Sequence, residues 1–201
     1  MSIIHSHDVT LHSLDGRIVL RPLTDAHLPL LYRWNADPEV LYWTEGGEDV
    51  ARSYTWETVH QIYGGPQDRV MYFLVEANGQ PIGECWLQRM NVLEILERYP
   101  RREGQPGTGP WLDVRRIDMM IGEKAYWGAG LGTRFVRMLA DYAFQKAGVD
   151  VLHCFTEDYN IRSRKLWMRL GFTEACAFTL PAGEKGSVQY HYVMRKEDWV
   201  G

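Results

Sequence analysis

Trp127-Gly128-Ala129-Gly130-Leu131-Gly132-Thr133 stands between the apolar run Ile117-Asp118-Met119-Met120-Ile121 and a stretch of helical spacing that runs from Arg134 to Lys146. A strand that passes through a glycine-rich loop straight into a helix is an arrangement that cradles phosphate. Glycines let the backbone approach closely, and the helix start offers unpaired N–H groups at the positive end of its dipole. The loop lacks the Lys-Ser/Thr ending of a nucleotide-hydrolase loop, and its strand is not the N-terminal one expected of a dinucleotide fold. An anion cradle of another kind is the reading that remains.

Working outward, Phe135, Met138, Leu139 and Tyr142 mark the buried face of the helix after the loop. Ahead of the loop, periodicity predicts a strand at 18–20 and helices at 26–35 and 51–63, then strands at 70–75 and 82–87 joined through the turn Asn78-Gly79. Residues 92–110, rich in charge, glycine and proline, read as an inserted helix and loop. After the loop come a strand at 151–156, a helix at 160–170 and two strands near 173–180 and 187–194, with Gly183 between them. The class is α+β, with a mixed and mostly antiparallel sheet.

Two hundred and one residues with 45% hydrophobic content suffice for one domain spanning 1–201, with 1–16 expected as a flexible polar lead. A formal charge of −4 argues against a partner held by phosphate neutralisation, so nucleic acid is not expected. Arg134, Arg137, Arg162, Arg164 and Lys165 form a local basic patch near the loop. No run is long and apolar enough to span a bilayer, and the expected location is cytoplasmic. Cys85, Cys154 and Cys176 are odd in number and lack metal-ligand spacing, so reduced thiols and no metal are expected. His5, His7 and His12 are read as part of the flexible lead.

The residues 126–133, from Tyr126 to Thr133, resemble the pyrophosphate loop of the GNAT acyl-CoA-dependent N-acetyltransferases, Gln/Arg-x-x-Gly-x-Gly/Ala, with Trp127 at its first position. Asn160-Ile-Arg-Ser163, in a helix that ends at Gly171-Phe172, resembles a second family motif. Ile18-Val19-Leu20-Arg21-Pro22 and the break at Asp37-Pro38 resemble the family's opening elements. The resemblance implies two central strands that splay to admit acetyl-CoA as co-substrate. It also implies a cofactor site formed by Met120, Ile121, Trp127, Gly128, Ala129, Gly130, Leu131, Gly132 and Thr133, with Asn160 and Ser163 facing the pantetheine arm or the phosphates. Asparagine also caps helices well, and both roles stay open for Asn160. A monomer or homodimer is expected.

Acetyl transfer needs a neutral amine, yet an alkyl amine has a pKa of about 10.4, so a carboxylate or water chain must take its proton. Asp118, a charge in an apolar strand beside the cradle, is the candidate, and Arg115 or Arg116 could instead make it a structural partner. Arg115-Arg116-Ile117-Asp118 resembles the corresponding strand of aminoglycoside 6'-N-acetyltransferases, which implies that Asp118 is the base or the amine anchor. Acidic and aromatic residues would then suit a polycationic amino sugar: Trp43, Glu45, Glu48, Asp49, Glu84, Trp86, Asp113, Glu157 and Asp158. Trp127 and the Asn160 motif also resemble ribosomal-protein N-terminal acetyltransferases, whose acceptor is a peptide α-amine. Trp167 stands where many family members have a tyrosine acid. Indole cannot act as that acid. Tyr126 and Tyr159 are candidate substitutes, and a non-catalytic acyl-CoA-binding module is a third reading.

Overall fold

The computed structural model describes residues 3–4, 7–44, 54–66, 69–90 and 113–201. The strands are β1 (Ile3–Ile4), β2 (Leu11–His12), β3 (Ile18–Pro22), β4 (Gly65–Pro66), β5 (Val70–Ala77), β6 (Gln80–Arg89), β7 (Val114–Ile121), β8 (Val151–Glu157), β9 (Thr173–Thr179) and β10 (Val188–Arg195). The α-helices are α1 (Leu28–Asn35), α2 (Pro38–Thr44), α3 (Trp56–Tyr63), α4 (Leu131–Gln145) and α5 (Ile161–Arg169). Each predicted element of the described residues is present, with boundaries shifted by a few positions. The helix expected at 26–35 opens with a 3-10 turn at Asp25–His27, because Pro29 fits only the first turn of the α-helix that follows. The expected insertion at 92–110 lies outside the described residues.

The main sheet has the order β2-β3-β5-β6-β7-β8-β10-β9, and β7 with β8 is its parallel pair. That pair is zipped over three rungs only, from Val114↔Val151 to Arg116↔His153. Beyond them β7 stays with β6 as far as Gly83↔Ile121, while β8 stays with β10 as far as Gln189↔Glu157. The two central strands therefore part toward their carboxyl ends, as the resemblance implied.

Strand alternation assigns the two sides of β7. Ile117 faces α4 and α5, in a core with Phe73, Cys85, Phe135, Leu139, Leu152, Trp167 and Phe172. Met120 faces the other way, into a core made by Leu31, Trp34, Val40, Val59, Tyr63 and Leu74. Asp118 shares that second side, opposite Trp86 in the β6 register.

The polar lead is a correction to the sequence reading. β2 pairs with β3, His7 packs on Phe73 at 4.4 Å and contacts the Tyr72 carbonyl at 3.0 Å, and Asp15 pairs with Arg134 of α4 at 2.7 Å. Val9 and Leu11 supply the apolar contacts that tie this stretch to the core. His5 lies outside the described residues. No helix among the described residues is long and apolar enough to cross a membrane.

Candidate active site

The cradle forms where β7 ends. After a 3-10 turn at Lys124–Tyr126, the Trp127 indole donates to the Ile121 carbonyl at 2.7 Å and fastens the loop back onto the strand. Gly130 is the N-cap of α4 at φ 74°, a left-handed conformation that suits glycine. It gives the helix no side-chain cap, and the first turn carries no acid. A β carbon on Gly132 would lie 2.8 Å from the Met119 Cε atom, so the helix start rests directly on β7. The first-turn N–H groups near Leu131, Gly132 and Thr133 have no intrahelical partner by geometry, and Gly128, Ala129 and Gly130 are exposed beside them. This backbone fits a pyrophosphate.

The basic patch is largely used elsewhere. Arg134 pairs with Asp15, Arg137 lies 5.7 Å over the Trp199 ring, and Arg164 donates to the Tyr192 hydroxyl at 3.2 Å. Arg162 does flank the cradle, with its guanidinium 5.6 Å from the Trp127 ring and 4.6 Å from that of Trp43.

Asn160 performs the capping role: its Oδ1 accepts from the Ser163 N–H at 3.1 Å. Its amide donates to the Trp43 carbonyl at 2.6 Å, which binds the end of α2 to the start of α5. Ser163 Oγ accepts from the Trp167 indole at 2.9 Å. Trp167 is 2% exposed and packs against Phe172 at 5.2 Å, so the indole has become part of the core beneath α5.

Asp118 is partly exposed and held from two directions. Arg116, two residues earlier on the same strand face, donates to Oδ2, and the Met119 N–H donates to Oδ1 at 2.8 Å. Arg116 in turn lies 4.2 Å over the Phe155 ring of β8, so it bridges the strands where they part. A row of rings walls the same face: Tyr63 with Tyr72 at 5.2 Å and Tyr72 with Trp86 at 5.8 Å. Burial, with the Glu84 charge adding to it, pushes the Tyr72 hydroxyl up to about 12. Burial likewise pushes the Cys154 thiol well above its ordinary range, with the Asp118 charge contributing, which leaves it a core residue and not a nucleophile.

The acids expected at the acceptor side divide. Glu84 is a correction: it is 1% exposed, accepts a hydrogen bond from the Tyr63 hydroxyl, and has no partner for Oε2 among the described residues. Burial pushes it up to about 8 against the Tyr63 hydrogen bond, so at neutral pH it is mostly an uncharged acid, not an anionic contact. Asp113 is a second correction. It precedes β7 at the zipped end of the parallel pair, where Arg115 grips both oxygens at 3.0 and 2.8 Å, and five residues of strand separate it from Asp118 by roughly 16 Å. Asp158 is occupied by the Tyr159 and Ser187 N–H groups at 3.0 and 3.2 Å, which shape the turn after β8. Glu157, at the carboxyl end of β8, accepts from Gln189 at 3.1 Å and stays partly exposed. Trp43 is brought to the cradle through Asn160 and Arg162. Glu45, Glu48 and Asp49 lie outside the described residues.

Two groups escaped the sequence reading. Arg116 was named only as an alternative partner, although period-two spacing places it on the Asp118 face. Lys185, in the loop between β9 and β10, lies over the rings of Tyr42 and Tyr159, and burial brings its ammonium down to about 8 against the favourable charge of Glu157. No cluster able to hold a metal occurs among the described residues.

Residues 17–173 match the family model described as an acetyltransferase (GNAT) domain. The chain is similar to an aminoglycoside N(6')-acetyltransferase type 1 of Klebsiella pneumoniae, 28% identical over 182 residues that cover 90% of this chain and 85% of the relative. Among solved structures it is similar to AAC(6')-Ib in complex with ribostamycin and coenzyme A, at a TM-score of 0.69 and 24% identity, covering 90% of this chain and 95% of that one. It is also similar to RimL, a ribosomal L7/L12 alpha-N-protein acetyltransferase in complex with coenzyme A, at a TM-score of 0.71 and 10% identity, covering 94% and 99%.

Proposed function

The chain belongs to the GNAT acetyltransferase family, and from that premise we propose that it moves the acetyl group of acetyl-CoA to a primary amine of an aminoglycoside, with the 6' amine favoured. One observation carries the reading. Asp118, a partly exposed carboxylate, stands on the cradle-bearing strand at the point where β7 leaves β8, facing a wall of Tyr72 and Trp86. The relatives named for aminoglycosides support the choice of acceptor.

Acetyl-CoA, when bound, supplies the acetyl group as a thioester, whose thiolate is a far better leaving group than an amine. The N–H groups at the start of α4 hold the pyrophosphate, and Trp127 keeps the loop against Ile121. Asp118 anchors the acceptor ammonium and takes its proton, while Arg116 and the Met119 N–H fix the orientation of the carboxylate. The ring faces of Tyr72 and Trp86 exclude water from that side and favour cationic sugar amines. Trp167 supplies no acid, since its indole is buried on Ser163, and the Tyr159 ring is turned to Lys185 and Tyr42; the thiolate leaves without a proton donor at position 167.

The test is thiol release from acetyl-CoA with kanamycin, with ribostamycin and with a peptide α-amine, alongside coenzyme A binding by calorimetry. Release with the amino sugars is expected, and Asp118→Asn should lower it by roughly 10²-fold at nearly constant coenzyme A affinity. Release with the peptide alone would overturn the acceptor, in favour of the N-terminal acetylation that Trp127 also suggests. Coenzyme A binding without release to any amine would overturn the transferase reading.

A further inference from the structure

Lys185 occupies an aromatic cage built from three distant parts of the chain. Its Nζ atom lies 3.2 Å from the centroid of the Tyr42 ring and 4.0 Å from that of Tyr159, and it donates to the Tyr42 carbonyl. Tyr42 belongs to the last turn of α2 and Tyr159 to the turn between β8 and α5, with their rings 5.8 Å apart. No carboxylate among the described residues pairs with this ammonium. Two ring faces and a carbonyl surround it instead, and the charge of Glu157 acts on it from the end of β8.

The cage has a fixed frame. Asp158 ties the Lys185 loop to the β8 turn through the Ser187 N–H at 3.2 Å, and Asn160 ties α2 to α5 through the Trp43 carbonyl at 2.6 Å. It also adjoins the cradle. Trp43 contacts Tyr42 at 4.9 Å, and the Arg162 guanidinium lies against both Trp43 and the cradle's Trp127.

Ring faces and a carbonyl oxygen favour an ammonium over an anion or a neutral hydroxyl. The frame suits a primary ammonium, and Lys185 is the one seated in it. Lys185 is held by two ring faces and one carbonyl, with no carboxylate partner among the described residues, so a second ammonium could compete for the same contacts.

We propose that the cage of Tyr42 and Tyr159 is a binding site for a second ammonium group of a polycationic acceptor, and that Lys185 fills it as an internal competitor until the acceptor arrives. This rests on the polycationic acceptor proposed above. It adds a specificity rule: an acceptor whose single ammonium is held at Asp118 has none left for the cage, whereas a polycationic acceptor can occupy both places.

The first arm of the test is kinetic. Lys185→Met keeps the stem and removes the competing charge, and it should lower the KM for kanamycin by roughly two- to fivefold, the scale of an exposed cation–π contact. Tyr159→Leu should raise that KM by a similar factor while leaving the KM for butylamine where it was. The second arm does not need activity. In the full chain with isotope-labelled lysine, the ε-methylene signal of Lys185, assigned by its loss in Lys185→Met, should resonate upfield of the other lysines because it lies over two rings. Kanamycin should return it to the ordinary position, and butylamine at the same concentration should not. A Lys185 signal at the ordinary position from the start overturns the inference, as does an upfield signal that kanamycin leaves in place while kanamycin is acetylated. An upfield signal that kanamycin does displace, in a chain that acetylates no amino sugar, supports the cage while the acceptor reading fails.

Discussion

Replacing Glu84 with glutamine tests how the acceptor side of the sheet is built. Glu84 is fully buried, and its carboxyl is pushed from an ordinary 4.5 up to about 8, chiefly by burial. Because the folded value lies above the unfolded one, the native state holds a proton that the unfolded chain has released throughout the window from about 4.5 to about 8. Stability contributed by this group is therefore greatest below pH 4.5, falls as pH rises through the window, and levels off above it. At about 1.4 kcal/mol per pKa unit, the loss between pH 5 and pH 8 is roughly 3 kcal/mol. Glutamine keeps an acceptor for the Tyr63 hydroxyl and has no proton to lose. Urea unfolding of both chains at pH 5 and pH 8 measures the difference. All other titrating groups are common to both, so the parent should lose about 3 kcal/mol more than Glu84→Gln over that interval. Parallel stability curves would refute the reasoning and mean that Glu84 is ionised in the fold.

Gly130→Val forces a β-branched residue to φ 74° at the N-cap of α4; it should weaken coenzyme A binding at least tenfold by calorimetry and cost about 1–2 kcal/mol of stability. Trp167→Phe removes the indole donor to Ser163 but no acid, so turnover should stay within a few fold while urea stability drops by about 1 kcal/mol. A hundredfold loss of turnover would restore a catalytic role for that position. Asn160→Ala should cost about 1 kcal/mol through the lost cap and also raise the KM for the amine, because the Trp43 end of α2 is released; a loss of stability with KM unmoved would limit Asn160 to capping.

The cradle was legible because its determinants are local. Glycine spacing, the strand before it and the helix after it lie within thirty residues, and Asp118 stood out because period-two alternation could not hide a charge among Ile117, Met119 and Met120. The acids were harder. Glu84 looks like any strand carboxylate until α3 folds Tyr63, 21 residues earlier, onto it. Asp113 looked close to the chemistry because it is close in sequence, yet strand geometry puts it at the zipped end of β7. The lead residues read as free because their anchors, Asp15 on Arg134 and His7 on Phe73, are long-range pairs. Lys185 was invisible for the same reason, since its partners lie 143 and 26 positions away. What spacing does not encode is which distant side chains meet, and the cage and the buried acid both depend on such meetings.

The parting of β7 from β8 after Arg116 and His153 also has a kinetic signature. Past that rung, alternate backbone amides of β7 are shielded by β6 while those between them face an edge with no neighbouring strand among the described residues. Amide hydrogen exchange along Ile117 to Ile121 should therefore alternate with a period of two, slow and fast, except at Met119, whose N–H is held by the Asp118 carboxylate. A ligand lying along that edge would flatten the alternation, so the sheet itself records occupancy of the cleft one amide at a time.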